Sequence, residues 1–283
     1  MTLSVLMSVY YKERPGYLDR ALQSLADQTL PADEVILVED GPIGEGLQAI
    51  IERYRSALRI RSPRLETNSG LAAALNEGLR HCAHTLVARM DTDDICAPQR
   101  FERQVGYFLN HRYVDVLGTF AVAIDEKERQ GALLSRPVTH GQIMSLLWTC
   151  PFIHPSVMFT RDRLVAAGGY DGRLRRRQDY ELWFRLAKQG FRFRNMPETL
   201  LLHRVSIETP VKQSARQAWQ QAMIGYKGSS MLDMAWWKRA ACFLPFFRAL
   251  LPAKIQHAAY IAARKFDPRL SSGRKASSSC RQW

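Results

Sequence analysis

Two short stretches of this chain gather carboxylates directly behind an apolar, β-rich run: Glu39-Asp40-Gly41 and Asp91-Thr92-Asp93-Asp94. Acids in such places, without basic partners following them, hold a cation or accept hydrogen bonds from a polyol or a base edge. Mg²⁺ and Mn²⁺ favour carboxylate and phosphate oxygens together. A turn or a helix cap is the plainer reading of either cluster alone. Two clusters at successive loops of one sheet favour a shared ligand. Asn68-Ser69-Gly70-Leu71 opens a helix, where Asn or Ser can cap and Gly allows close backbone approach, or a diphosphate can sit at the helix start. Gln178-Asp179-Tyr180-Glu181-Leu182-Trp183 opens another. There Asp179 is either the cap or a carboxylate aimed into a cleft as a general base. His154, His203 and Arg204 complete the candidates, the last two within reach of a phosphate or a metal.

These residues need a frame that brings them together. Leu3–Val9, Glu34–Val38, Leu58–Ile60 and Thr85–Met90 read as strands. Tyr17–Gln28, Leu47–Leu58 and Leu71–Cys82 carry apolar residues at helical spacing between them. The alternation predicts a parallel sheet covered by helices, with ligands outside the carboxyl ends of its strands. Further on, Pro98–Asn110 and Asp179–Gln189 read as helices, and Tyr113–Ile124, Ser156–Thr160, Phe191–Phe193 and Leu200–Val205 as strands. No internal repeat or Gly/Ser linker divides the first 226 residues, which are expected to form one domain. Ser271–Ser279 is small and polar, and reads as frayed.

The 283 residues carry 40 Lys and Arg against 27 Asp and Glu, a formal charge of +13. The ordinary share of hydrophobic residues excludes a disordered or collagen-like chain. The charge is uneven: from Lys227 onward there are 11 basic and 2 acidic residues. Within that tail, Trp236, Trp237, Phe243, Leu244, Phe246, Phe247, Leu250 and Leu251 fall on half of a helical wheel, and Lys238, Pro245 and Arg248 fall opposite. This predicts an amphipathic helix, kinked at Pro245, lying on an anionic membrane surface, or alternatively packed on the protein's own core. No charge-free stretch of about 20 residues suggests a membrane span, and the apolar start lacks the basic flank of a signal peptide. Five cysteines, none in a CxxC pair, read as reduced thiols rather than disulfides or a zinc site.

Taken in order, the pieces resemble the inverting family 2 glycosyltransferases of GT-A fold, and among them the bacterial enzymes of exopolysaccharide, capsule and O-antigen assembly. The matching text is Ser4–Tyr10, Asp33–Gly41, Asn68–Leu71, Ala74-Leu75-Asn76, Ala88–Asp94, Gly168–Asp171 and Gln178–Trp183. The resemblance implies an α/β Rossmann-like, mainly parallel sheet: a nucleotide-binding half over about residues 1–95, an acceptor half over 96–226, and a C-terminal amphipathic helical extension over 227–283. It implies that Tyr10, Glu13, Asp40, Asn68, Arg89 and Asp91 hold the nucleotide. Asp93 is then the direct ligand of a divalent metal, Mg²⁺ or Mn²⁺, with Asp91 beside it, and Asp179 is the catalytic base. The family's usual Glu before that base is Gln178 here, and its His two residues after Arg204 is Ser206, which leaves His203 as the nearby metal candidate. The expected partners are a nucleotide-sugar donor, of uridine diphosphate, a polyprenyl-diphosphate-linked or oligosaccharide acceptor, and an anionic membrane, with no nucleic acid. The expected place is the cytoplasmic face of the plasma membrane.

Rival readings are weaker on the residues. A nucleotide-sugar pyrophosphorylase needs a Gly-rich, Arg-containing loop after the first strand, and Tyr10–Gly16 has one Gly. A processive synthase needs a Gln-x-x-Arg-Trp motif that the chain lacks. A non-catalytic nucleic-acid or membrane-binding module is suggested by charge alone, against a cleft lined by acids.

Overall fold

The computed structural model describes residues 1–205, 214–252 and 269. The chain opens with β1 (Leu3–Val9), α1 (Pro15–Ala26), β2 (Glu34–Glu39), α2 (Glu45–Tyr54), β3 (Ile60–Arg61), α3 (Leu71–His81) and β4 (Leu86–Arg89). It continues with β5 (Ile95–Cys96), α4 (Arg100–Asn110), β6 (Val116–Ile124), β7 (Gln130–Leu134), α5 (His140–Ser145), β8 (Met158–Thr160), α6 (Arg161–Ala166), α7 (Gln178–Lys188) and β9 (Phe193–Arg204). Three helices follow: α8 (Ala215–Met231), α9 (Trp236–Ala241) and α10 (Leu244–Ala249).

The strands form one sheet in the order β3-β2-β1-β4-β8-β6-β9-β5, with β7 beside β6. The β3-β2-β1-β4 half is wholly parallel. In the other half β6 and β9 run parallel, and β5, β7 and β8 are antiparallel to their neighbours. This is the expected helix-covered α/β sheet. Both faces are buried, as the pleat dictates for a parallel sheet. Val5, Met7, Val35 and Leu37 join one core with α1, α2 and α4, while Leu6, Ile36 and Val38 join the other with α3 and α7. A side chain at Gly78 would collide with Leu6 and Val38, so that glycine lets α3 lie flat on the sheet.

Several expectations change. The two short strands predicted at Phe191–Phe193 and Leu200–Val205 are one strand, β9, which runs through Pro197. Its pairing with β6 shifts register around Thr119, Phe120 and Val122, so the bulged stretch absorbs a residue that cannot donate to a ladder. The single amphipathic helix expected over 236–251 is two helices, α9 and α10. Pro245 stands in the first turn of α10, where its missing N–H costs nothing, and the break falls before it. Residue 226, the expected end of the body, falls inside α8. The Ser271–Ser279 stretch lies outside the described residues. Among the described residues no helix is long and apolar enough to cross a membrane.

Candidate active site

Both acid clusters stand where the parallel half releases its chain, at the carboxyl ends of β2 and β4. Asp40 is 3% exposed. Its carboxylate accepts the backbone N–H of Ser69 at 2.6 Å and of Gly70 at 2.9 Å. Asp40 thus clamps the loop that starts α3. Gly41, at φ 86°, is required there, because a Cβ would stand 2.7 Å from the Asn68 nitrogen. Asn68 lies over the same clamp, and its backbone and side-chain oxygens face the Arg175 guanidinium at 3.5 and 3.4 Å.

Asp91, Asp93 and Asp94 each turn a carboxylate oxygen into one group whose members lie within 4.8 Å of one another. Asp94 is wholly buried and accepts from the Arg204 backbone N–H at 2.8 Å and faces His203 Nδ1 at 3.0 Å. The Arg204 guanidinium donates to the Asp93 carbonyl at 2.9 Å and to the Asp125 carbonyl at 2.8 Å, with its face over the Tyr17 ring at 4.0 Å. The last two residues of β9 therefore lock the Asp loop onto the second half of the sheet. Burial, followed by the charges of Asp94, Asp91 and Glu13, pushes Asp93 up to about 7. Burial and then Asp91 push Glu13 to about 7 as well, against a hydrogen bond to Thr92. For His203 burial disfavours the charge, but Asp94, Asp91 and Asp93 outweigh it and raise the group above its ordinary value. Crowded carboxylates with oxygen donors only, and a histidine oriented by one of them, form the setting that a hard divalent cation fits. His203 has Nδ1 on Asp94, and the group of possible ligand atoms within 4.8 Å of one another among the described residues holds Asp91, Asp93 and Asp94 without it.

Arg89 is 1% exposed and pairs with Asp91 through Nη2. Buried behind Asp91, it orients that carboxylate. Its Nε and Nη1 have no partner among the described residues. Tyr10, 36% exposed, and Glu13 rim the cleft beside the same acids, and Tyr10 is raised by burial and by Glu13.

Asp179 comes from α7 on the opposite side. The N-cap of α7 is Arg177, so Asp179 is the second residue of the helix and not its cap. The Cys150 thiol donates to Asp179 Oδ2 at 3.7 Å. Tyr170 is within electrostatic reach of both Asp179 and Asp91. Burial raises its hydroxyl strongly, Arg89 opposes this, and Asp179 and Asp91 both add to it. The Tyr170 hydroxyl also meets His154 Nε2 at 2.9 Å, and burial beside Arg89 lowers that imidazole well below its usual value and keeps it neutral. Asn76 fixes this segment from α3. It accepts the Tyr170 N–H at 2.8 Å and donates to the Tyr170 carbonyl at 2.7 Å. A Cβ at Gly169 would come within 2.5 Å of the Asn76 oxygen. The Asn76 and Gly168-Gly169-Tyr170 motifs are thus two halves of one joint.

The sequence did not single out the roles of Asp94, Cys150 and Tyr170. Asp94 carried a signal, as the last acid of its run. Cys150 carried none, because its contact with Asp179 spans 29 residues.

The sequence model of the family described as Glycosyl transferase family 2 matches residues 4–169. The amylovoran biosynthesis glycosyltransferase AmsE of Erwinia amylovora is 41% identical over 219 residues, covering 76% of this chain and 80% of that protein. An Escherichia coli UDP-Gal:alpha-D-GlcNAc-diphosphoundecaprenol beta-1,3-galactosyltransferase is 34% identical over 207 residues, covering 73% and 75%. The crystal structure of S. aureus TarS 1-349 in complex with UDP-GlcNAc superposes with a TM-score of 0.68 at 18% identity, covering 88% of this chain and 72% of that one. A family model that matches residues 4–169 and a relative 41% identical over three quarters of the chain show that the chain belongs to glycosyltransferase family 2.

Proposed function

We propose that this chain is an inverting, non-processive glycosyltransferase of bacterial surface-polysaccharide synthesis. It moves a sugar from a UDP-sugar to a polyprenyl-diphosphate-linked saccharide at the cytoplasmic face of the plasma membrane. One observation carries the reading: Asp179 at the start of α7 and Asp91 after β4 both lie close enough to the buried Tyr170 hydroxyl to raise it, which supports a common site for base and donor. The names of AmsE and of the diphosphoundecaprenol galactosyltransferase support the pathway and the acceptor class.

Asp179 takes the proton of the acceptor hydroxyl as that oxygen attacks the anomeric carbon. The C–O bond to the diphosphate breaks in the same displacement, which inverts the configuration and needs no second nucleophilic carboxylate. Asp40 holds the Asn68–Gly70 loop against the nucleoside, while Tyr10 and Glu13 rim it and Arg89 fixes Asp91. Asp93 with Asp91 would hold Mg²⁺ or Mn²⁺, which when bound neutralises charge on the departing diphosphate. Such stabilisation amounts to several kcal/mol, so Asp93→Asn is expected to lower turnover by at least about 10²-fold. Release of UDP from UDP-sugars, with and without chelator, measures this. Activity that survives both the substitution and chelation overturns the metal's part.

The basic tail supports the membrane. Trp236, Leu244, Phe247 and Leu250 are 79%, 63%, 60% and 58% exposed, beside Lys238 and Arg248. Large apolar side chains left in the open with basic neighbours suit a bilayer interface.

A further inference from the structure

We propose that Arg136, Arg177 and Arg269 form the receptor for the diphosphate of the lipid-linked acceptor, a phosphate site separate from the donor's. The inference rests on the lipid-linked acceptor proposed above.

The three arginines come from distant stretches and converge beside the base. Asn195 Nδ2 donates to the Pro137 carbonyl at 2.7 Å and to the Pro151 carbonyl at 3.2 Å, which brings the residue after Arg136 next to the residue after Cys150. The Cys150 thiol touches Asp179 Oδ2, two residues beyond Arg177, and all three arginines oppose the rise that burial imposes on that thiol. Arg269 Nη1 donates to the Thr149 carbonyl at 2.9 Å, and Arg136 Nη1 to the Ser135 carbonyl at 2.8 Å. These contacts steady the two side chains at the mouth of the cleft. A guanidinium has five donors in a planar fork, the geometry that matches phosphate oxygens.

Arg177 adds a second, independent sign. It holds φ 60°, ψ 24° in the left-handed region, at the start of α7 and without a side-chain cap. A non-glycine residue there is strained, because its Cβ crowds the following carbonyl oxygen. Such strain concentrates at ligand-binding positions. Arg173 of the same loop pairs with Asp171, but Arg175, Arg176 and Arg177 make no ion pair among the described residues. Three successive exposed arginines, 175 to 177, without an ion pair among the described residues call for an anion.

The layout runs in the order of the acceptor's own parts. A lipid-linked saccharide presents hydrocarbon, then diphosphate, then sugar. On the protein, the exposed Trp236 and Trp237 of α9 come first. Trp237 packs edge-on to Trp148 with centroids 5.9 Å apart, and Lys238 Nζ donates to the Ser145 carbonyl at 2.8 Å, which binds α9 to the segment that ends at Cys150. The arginines come next, and Asp179 follows. The donor's diphosphate is assigned to the Asp91–Asp94 side of the cleft.

The test titrates the full chain with farnesyl diphosphate, farnesol and inorganic diphosphate, in buffer holding saturating UDP and Mg²⁺, and follows heat and tryptophan fluorescence. Farnesyl diphosphate is expected to bind with UDP in place, and at least tenfold more tightly than either fragment. Arg136→Gln, Arg177→Gln and Arg269→Gln should each weaken it about tenfold, equivalent to about 1.4 kcal/mol. UDP affinity and melting temperature should hold, and Lys at the same positions should restore part of the loss. Competition between UDP and farnesyl diphosphate overturns the proposal, because one phosphate site would then serve both. Inorganic diphosphate binding as tightly as farnesyl diphosphate overturns the lipid source. Wild-type affinity in all three Gln variants overturns the residues. If UDP itself fails to bind, the donor reading fails, and the same variants in UDP-free buffer still decide the arginine site.

Discussion

Each carboxylate of the cleft is held by different means, and the means sets what its loss does. Asp40 accepts two loop amides, so its side chain has structural work beside the nucleoside contact proposed for it. Asp40→Ala leaves two amides of a partly buried loop without their acceptor, at roughly 1–3 kcal/mol. UDP affinity should fall at least tenfold, with a lower melting temperature, both read in a thermal-shift titration; unchanged affinity removes Asp40 from the nucleotide site. Asp94 is spent on His203 and Arg204 and acts by setting the loop that carries Asp91 and Asp93. The acid run Asp91–Asp94 was legible as chemistry in the sequence. Which acid faces the ligand and which anchors β9 was not, because the division depends on residues 110 positions away.

At the scale of elements, the parallel half was readable because each strand is a short β-rich run and each helix shows one apolar face. The second half was harder for reasons visible in particular elements. In β9, Arg194, Asn195, Pro197 and Glu198 interrupt the apolar pattern, yet pairing with β6 carries the strand through. In α8 the buried positions are Ala218, Ala222, Gly225, Gly228 and Ser229, which give a faint hydrophobic signal. Small residues are needed because α8 lies against α7: a Cβ at Gly225 would stand 2.5 Å from the Tyr180 oxygen, and one at Gly228 would overlap the Phe184 ring. The strand pairing also carries a charge. Glu34 of β2 accepts from Ser4 Oγ of β1 at 2.7 Å and from the Ala83 N–H at 2.7 Å. Burial acts to raise Glu34, but the Ala83 and Ser4 hydrogen bonds and nearby basic groups hold it below its usual value. A depressed carboxylate stabilises the fold above the ordinary glutamate range and loses that contribution as pH falls through its folded value. Glu34→Gln should therefore cost about 1–3 kcal/mol at neutral pH. Denaturation midpoints of the two proteins should converge below about pH 4. A gap that is constant with pH contradicts this.

At the scale of the whole molecule, the tail divides its aromatic residues between two tasks. Phe243 and Phe246 pack on Trp219 with centroids at 5.6 and 5.1 Å, and Cys242 is buried against α8. These side chains pack on α8, whose Trp219 is itself partly exposed. Trp236, Leu244, Phe247 and Leu250 stay in the open and serve the membrane reading. Trp236→Ser with Phe247→Ser should reduce flotation with anionic vesicles at low and high salt while the melting temperature holds. Phe243→Ser should lower the melting temperature. Salt alone should weaken flotation without abolishing it, since screening acts on the basic residues, worth about 1 kcal/mol each near anionic lipid, and not on buried aromatics. A lost melting temperature with unchanged flotation in the Trp236 and Phe247 variant contradicts the division.

The central claim is that Asp179 takes the acceptor's proton in a cleft whose other side holds the donor. The measurement that tests it most directly is sugar transfer by Asp179→Asn, from a panel of UDP-sugars to a polyprenyl-linked glycolipid extract, beside the affinity of the same variant for UDP. Asparagine keeps the shape at the second position of α7 but cannot accept the proton. Transfer should fall by about 10²–10⁴-fold, the usual contribution of a general base, while UDP affinity stays within about threefold. Transfer that holds within about threefold of the unchanged chain would contradict the account.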